Sequence, residues 1–407
     1  MSKRADYEVV IAGGGMVGAT LACALGQAGV KVALIEARAP GPEPLPADGY
    51  DLRVSAITLA SRRIFENLGI WDGIARRRVN PLRAMRVWDA AGGGAIGFDA
   101  AEIGEPDLGY IVENRVIDAA AWERLAGHAS VEVRRPAQIA ALDVDGERVG
   151  VGLADGRRLN ARLLVGADGA QSVVRELAGI AVRGWGYDQQ GIVATVATTG
   201  DHAQTAFQVF LPTGPLAFLP LAPGSSSIVW SCDTPRAAAL LALDDDAFRA
   251  ELATAFGDRL GVIESVGPRA AFPLSLAHAE RYVGERVALV GDAAHRVHPL
   301  AGQGVNLGLL DAALLAELLL AARGAGRDPG ARPWLRRYER GRKGDNLAML
   351  AVTDAFQRGF GASWAPLVAA RSLGLDLTDA LPPLKQAIMR RAAGLAGELP
   401  ALARAAE

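Results

Sequence analysis

The chain has 407 residues, with 43 Lys and Arg against 45 Asp and Glu, a net charge of −2, and half of its residues hydrophobic. At ~100–200 residues per domain that length suits two or three domains. The balance excludes a disordered chain, which needs low hydrophobicity and high net charge, and a globally basic nucleic-acid binder; Cys23 and Cys232 are too few for a disulfide framework or a Cys-rich metal site.

The opening MSKRADYEVV lacks the apolar core of a signal peptide. The most apolar stretch, Leu307 to Ala322, carries Asp311 and Glu317 and falls short of the ~20 apolar residues of a membrane span. A cytoplasmic globular protein is therefore expected. Tyr7 to Ala12 reads as a strand, Gly13 to Gly18 as a glycine turn, Ala19 to Gln27 as a helix and Val30 to Glu36 as a second strand, which together make a βαβ unit. Arg38 to Leu52 is a Pro/Gly-rich loop. Ser55 to Leu68 is a predicted helix, and Met85 to Asp99 a hairpin broken by Gly92-Gly93-Gly94. Asn114 to Ala126 returns to helix. Residues 131 to 166 hold three strand-like runs, with turns at Asp145-Gly146 and Asp155-Gly156. From Gly184 to Phe272 short strands dominate, which predicts a mostly antiparallel sheet inserted between α/β segments. A strand, a glycine turn and a helix recur over Val287 to Leu320, and helices follow to the end.

Glycine is unusually common: 48 residues, about 12% against a usual ~7%. Gly13-Gly14-Gly15-Met16-Val17-Gly18 fits G-x-G-x-x-G between a strand and a helix, and Glu36 closes the next strand. Gly13 would allow the tight turn, Gly15 the approach of a pyrophosphate, and Gly18 close helix–strand packing. The helix N-terminus offers free N–H groups and a positive dipole end. Glu36 can accept from ribose hydroxyls and disfavours a 2′-phosphate, so FAD or NAD is expected rather than NADP. A second match, Gly92 to Gly97, lies in the hairpin with no helix after it and is read as a hairpin tip. Two further segments combine a strand with a small-residue turn. In one, Asp168 could cap the turn and Arg175 face it. In the other, Asp292 could bond a ribityl or ribose hydroxyl, and N–H groups near Gly302 to Asn306 stand at a helix start. Each of these has a plain loop as its alternative reading.

Taken in order and spacing, the three segments resemble the FAD-binding fingerprints of group A flavoprotein aromatic hydroxylases. HPLAGQGVNLGLLDAALLAE (His298 to Glu317), DLRVSAITLAS (Asp51 to Ser61), IVENRVIDAAAW (Ile111 to Trp122), RRYERGRKGDNLAML (Arg336 to Leu350) and LGLDLTDALPPLKQAIMRRAAGL (Leu373 to Leu395) resemble the ubiquinone-biosynthesis members. The resemblance implies an α/β fold: a Rossmann-like FAD-binding domain (1–75, 101–180 and 273–345), an inserted mostly antiparallel β-sheet substrate domain (76–100 and 181–272) and a C-terminal helical segment (346–407). It gives Gly13, Gly15, Gly18 and Glu36 the ADP half of FAD. Asp168, Gly169 and Arg175 would touch FAD and the nicotinamide route, and Asp292 the ribityl and pyrophosphate region. Pro299 and Gly302, Gln303, Gly304, Val305 and Asn306 would line the isoalloxazine ring. Arg53 matches a family arginine beside the flavin, and Asn114 and Arg115 a helix start near the cofactor. No acid–base residue is required, because the cofactor carries the chemistry; Arg53, His298, Pro299 and Gly302 are ring-positioning candidates. No metal is expected.

The implied reaction is hydroxylation of a polyprenyl-phenol ring, with C5 slightly favoured. NADPH or NADH reduces FAD, and O2 adds at flavin C4a to give a hydroperoxide. Phe207, Phe210, Phe218 and Trp230 could line the substrate site or simply pack the core. The partners implied are a lipophilic substrate and O2. Residues 323 to 345, with eight Lys/Arg against three Asp/Glu, and an amphipathic stretch around Leu384, Ile388 and Met389 would suit peripheral contact with the inner face of a membrane or a biosynthetic complex. A solvated face and a packing helix are the plainer readings; a homo-oligomer is a further expectation. The same fold on another aromatic or natural-product substrate, a non-catalytic FAD-bound scaffold, and an NAD-dependent dehydrogenase on the first motif alone are the alternatives.

Overall fold

The computed structural model describes residues 5–39, 49–297, 303–361 and 364–405. The expectations for His298, Pro299 and Gly302 lie outside the described residues. Tyr7–Ala12 is a β-branched run with all but one residue buried, as a strand covered on both faces requires. It sits mid-sheet, parallel to Val32–Ile35 on one side and to Arg158–Gly166 on the other. Val131–Arg134 extends this sheet in parallel at one end, and Val287–Leu289 at the other. Ile139–Asp145 and Arg148–Leu153 form an antiparallel hairpin that joins Arg158–Gly166. The helices Met16–Gln27 and Gln303–Gly324 pack on the sheet and on each other in one core.

A second, nine-stranded sheet runs through Ala270–Ala279, Val182–Thr198, Ser225–Asp233, Gly214–Pro220, Thr205–Leu211, Ala84–Asp89 and Ala95–Asp99. It is antiparallel apart from Thr205–Leu211 against Ala84–Asp89. A small third sheet joins Val54–Thr58, Gly109–Glu113 and Asn80–Leu82. The helices Arg332–Gly361, Ala365–Ala380 and Pro382–Ala392 follow, and a short helical turn, Ala401–Ala403, comes last. The fold is thus α/β with a Rossmann-like sheet, an inserted mostly antiparallel sheet and a C-terminal helical segment.

Four local expectations change. The predicted helix over 55–68 is a strand, Val54–Thr58, then a helix, Leu59–Asn67; Thr58 ends the strand and caps the helix, its hydroxyl accepting from the Ser61 N–H at 3.3 Å. The first helix starts at Met16, directly after the turn, rather than at Ala19. Residues 131–166 hold four strands, not three. Within the inserted segment two helices appear, Thr234–Leu241 and Asp245–Phe256, each capped by an aspartate (Asp233, Asp244) accepting a backbone N–H three residues on.

Those two helices decide where the aromatics point. Phe218 stacks on Phe256 at 3.8 Å, Phe207 meets Phe256 edge-on, and Trp230 packs on Phe248. Phe210 lies on the opposite face but stacks on Phe360 at 3.8 Å. Strand period two sends Phe207, Phe218 and Trp230 to the face under the helix Asp245–Phe256, with Phe207 half-buried there, and Phe210 to the other face, buried against Phe360. The lookalike Gly92–Gly97 is the tip of the hairpin Ala84–Asp89/Ala95–Asp99, and a Cβ on Gly92 or Gly94 would strike Ser372 of the helix Ala365–Ala380.

Candidate functional site

The first glycine turn uses its residues for different ends. Gly13 has φ +96°, and a Cβ there would lie 2.3 Å from the Ala167 carbonyl oxygen. A Cβ on Gly18 would lie 2.0 Å from the Gly13 carbonyl oxygen. A Cβ on Gly15 would meet nothing within 4 Å, so the turn is open at that one residue. Gly15 also caps the helix with no side-chain bond, which leaves the helix N-terminal N–H groups for an anion. Glu36 is buried, accepting from the Gly14 N–H at 2.7 Å and from the Arg38 N–H at 2.8 Å. Burial alone would raise its pKa; these bonds and the Arg38 guanidinium outweigh that and hold the carboxyl below its ordinary value.

The fold brings all three segments together. The Ala167 N–H donates to Ala12, beside the turn, at 2.8 Å. Gly291 and Gly308 both pack on Val17, where a Gly308 Cβ would lie 2.8 Å from the valine. Asp168 accepts from the Ser172 hydroxyl at 2.5 Å and the Val174 N–H at 3.1 Å, so its carboxylate builds the turn. Arg175 donates to the carbonyls of Ala293 and Ala170, both at 3.0 Å, and so ties the second segment to the third. Asn306 clamps the small sheet: its amide donates to the Ala56 carbonyl at 2.8 Å and accepts from the Thr58 N–H at 3.0 Å. Its neighbours Gln303, Gly304 and Val305 form the first helical turn, at the positive dipole end. Asn114 accepts from the Ser55 hydroxyl at 2.6 Å, and Arg115 pairs with Asp51 at 3.1 Å.

Asp292 lies in the short helical turn Gly291–Ala293 that follows the strand Val287–Leu289. It is exposed, yet the surrounding protein desolvates it enough to raise its pKa, against the positive charges of His295, Arg296 and Arg53. Arg53 also lies over the Phe272 ring, 5.5 Å from its centroid. The turn carrying Asp292 is fixed from beneath by Asp311. That fully buried carboxylate accepts from the Gly291 N–H (3.1 Å), His295 (2.5 Å), the Arg342 guanidinium (2.8 Å) and the Asn346 amide (3.1 Å). Burial opposes its ionisation, but the His295 and Arg342 charges hold its pKa at about 2.

Sequence reasoning passed over Asp311, noticed only as a charge in an apolar helix, and Asp118. Asp118 lies one turn after Asn114, and its Oδ1 is buried with no hydrogen-bond partner. Desolvation, with the Glu36 charge and against Arg38 and Arg53, pushes its pKa up to about 6. The open cradle at Gly15, the uncapped helix and this orphaned oxygen fit a dinucleotide whose pyrophosphate is anionic and whose ribose and adenine donate hydrogen bonds.

Beside the third segment, at Gln303, is an apolar cavity of about 330 Å³. The strands under it contribute the face opposite Phe207, Phe218 and Trp230, among them Ala206, Gln208, Ala217, Leu219, Val229 and Ser231. Val54, Ala56 and Thr58 line it from the small sheet, Gln303 from the cofactor segment, and Ile388, Met389 and Ala392 from the helix Pro382–Ala392.

The comparisons agree with this architecture. The FAD binding domain family matches residues 6–346. The chain is 46% identical to the ubiquinone hydroxylase UbiL of Rhodospirillum rubrum, over 95% of this chain and 89% of that one. It is 40% identical to the 3-demethoxyubiquinol 3-hydroxylase of Escherichia coli, over 95% and 98%. Among solved structures it resembles PqsL of Pseudomonas aeruginosa in complex with 2-aminobenzoylacetate, with a TM-score of 0.75 and 26% identity over 90% of this chain and 99% of that one. With its three glycine segments joined to one another and these relatives along nearly its whole length, the chain belongs to the FAD-dependent aromatic monooxygenases, in the ubiquinone-biosynthesis hydroxylase family.

Proposed function

We propose that the protein hydroxylates the ring of a polyprenyl-phenol intermediate of ubiquinone biosynthesis, with ring C5 slightly favoured. The observation that carries this reading is the apolar cavity between the nine-stranded sheet and the cofactor segments, large enough for a phenol ring and a short stub of tail. FAD, when bound, supplies oxygen activation, with electrons from NADPH or NADH. The chain's own residues bind and orient. Gly13, Gly15, Gly18, Glu36 and Asp118 would hold the ADP half, Asp292 and Arg53 the middle of the cofactor, and Gln303 to Asn306 the ring end. Asp168, Arg175, Asn114 and Arg115 support them through the backbone and ion-pair contacts described above. Gln208 and Ser231, polar in a mostly apolar lining, are our candidates to hold the phenol hydroxyl, while the apolar wall excludes water. Segments 76–100 and 181–272 would form the substrate domain. The substrate reading implies a cytoplasmic protein working at the inner face of a membrane.

The test supplies the FAD-loaded protein with NADPH, or NADH, and a short-chain prenylphenol. Transfer of one oxygen atom to the ring, read by mass spectrometry, is expected; reductant consumption without ring oxidation would sink the reading. Complementation of strains that each lack one ring hydroxylase identifies the carbon. Asp292→Ala should lose most bound FAD while keeping its fold, measured by flavin absorbance and circular dichroism.

A further inference from the structure

The apolar cavity holds a polar side chain that the fold leaves unsatisfied. Gln208 is 5% exposed, and it lines the cavity. Its neighbours on the sheet offer it nothing. Val87 stands opposite on the strand Ala84–Asp89 and Ala217 opposite on Gly214–Pro220. Ala206 and Phe210 flank it on the same face of its own strand. Among the described residues nothing hydrogen-bonds its carboxamide. A buried amide without a partner is destabilising, whereas a Leu or Met of similar shape would not be; the group makes physical sense once a ligand completes it.

We propose that Gln208 selects the substrate: its carboxamide reads a ring hydroxyl, and the cavity admits the ring only when the ring is uncharged. The proposal rests on the polyprenyl-phenol reading and narrows it. Three features of the cavity carry it. First, Ala206 and Ala217 are small, so a flat ring has room on the floor beside the amide. Second, a carboxamide presents an acceptor and a donor side by side, which complements a hydroxyl that both donates and accepts. Third, among the described residues none that lines the cavity is ionisable. A ring bearing a carboxylate would give up its water there and meet no cation, whereas a neutral phenol leaves no charge uncompensated. Ser231 is the other buried polar residue of this floor, but it lies two strands away, two residues beyond the Val229 that pairs with Ala217, and one row further from Ala206.

The experiment titrates the oxidised, FAD-loaded full chain and reads binding from the flavin absorbance, without turnover. The four ligands are 2-prenylphenol, prenylbenzene, the same phenol with a carboxylate para to its hydroxyl, and the methyl ester of that acid. Wild type should bind the phenol about tenfold or more tighter than prenylbenzene. It should bind the ester, which has the bulk of the acid without its charge, about a hundredfold or more tighter than the acid. Gln208→Leu should keep its FAD and its circular dichroism, bind prenylbenzene as wild type does, and lose the preference for the phenol; Ser231→Ala should retain that preference. Wild type that binds the acid as tightly as the ester overturns the requirement for an uncharged ring. A Gln208→Leu variant that still prefers the phenol, or a Ser231→Ala variant that alone loses the preference, overturns the role of Gln208. Wild type that binds none of the four ligands defeats the polyprenyl-phenol reading and this proposal with it, whereas binding of the phenol and prenylbenzene with equal affinity defeats this proposal alone.

Discussion

The two ends of the proposed cofactor site are built by opposite means. At the Glu36 end the backbone does the work: a turn of glycines, tight at Gly13 and Gly18 and open at Gly15, with one carboxylate bonded to the turn itself. At the Asp292 end the turn is held by side chains from three elements, meeting at Asp311. A backbone-built site is specified within a few residues, whereas a side-chain-built site depends on distant partners and on their charges. The first should fail by steric clash and the second by loss of charge balance.

The largest effect is expected from breaking the second design. Asp311→Asn leaves Arg342 buried without its counter-charge and should cost about 3–5 kcal/mol in urea unfolding. In the wild type the folded-state pKa of Asp311 is depressed, so its stabilisation is present above the ordinary aspartate pKa near 4 and drains away as pH falls toward about 2. An acid-unfolding curve of Asp311→Asn that still steepens over that window like the wild type would contradict this account. Next comes Gly18→Ala, whose Cβ would fall 2.0 Å from the Gly13 carbonyl oxygen, at a cost of about 1–3 kcal/mol together with loss of FAD.

Asp118→Asn should act in the other direction. The raised folded-state pKa of Asp118 means its contribution is favourable below pH 4 and is lost as pH rises through about 6. At pH 7.5 the FAD-free variant should therefore be more stable than wild type by about 1–2 kcal/mol, with the gain vanishing toward pH 4. Thermal melts at the two pH values read this, and an equal gain at both would remove the carboxyl from the explanation. The smallest stability effect, about 0.5–1 kcal/mol from the poorer N-cap, belongs to Gly15→Ala, whose Cβ meets nothing within 4 Å. Its FAD affinity should nevertheless fall sharply, and unchanged affinity by flavin fluorescence quenching would show that no ligand approaches there.

The same contrast explains what could be read from the chain. The turn Gly13–Gly18 was legible because its constraints are local and chemical. The Asp311 node was not, because Gly291, His295, Arg342 and Asn346 meet only in three dimensions. The strand Val54–Thr58 was misread because its partner, Gly109–Glu113, lies some fifty residues away and cannot bias a local pattern. The strand aromatics could not be oriented without Asp245–Phe256, whose Phe248 and Phe256 select the buried face. Asp118 carries no motif; only its missing partner marks it.

The strand order of the parallel sheet also bears on how the chain is made. Tyr7 pairs in register with Ala161, and Leu164 with Val287, so the middle of the sheet joins pieces drawn from most of the chain. At synthesis rates of about 5–20 residues per second, the N-terminal strand waits on the order of 15–60 s before Val287–Leu289 and the helix behind it exist. During that interval the emerging half-sheet has an open edge and an uncovered apolar face. Such long-range pairing is slow to form, and an edge and face of this kind are exposed to aggregation until the last third of the chain leaves the ribosome.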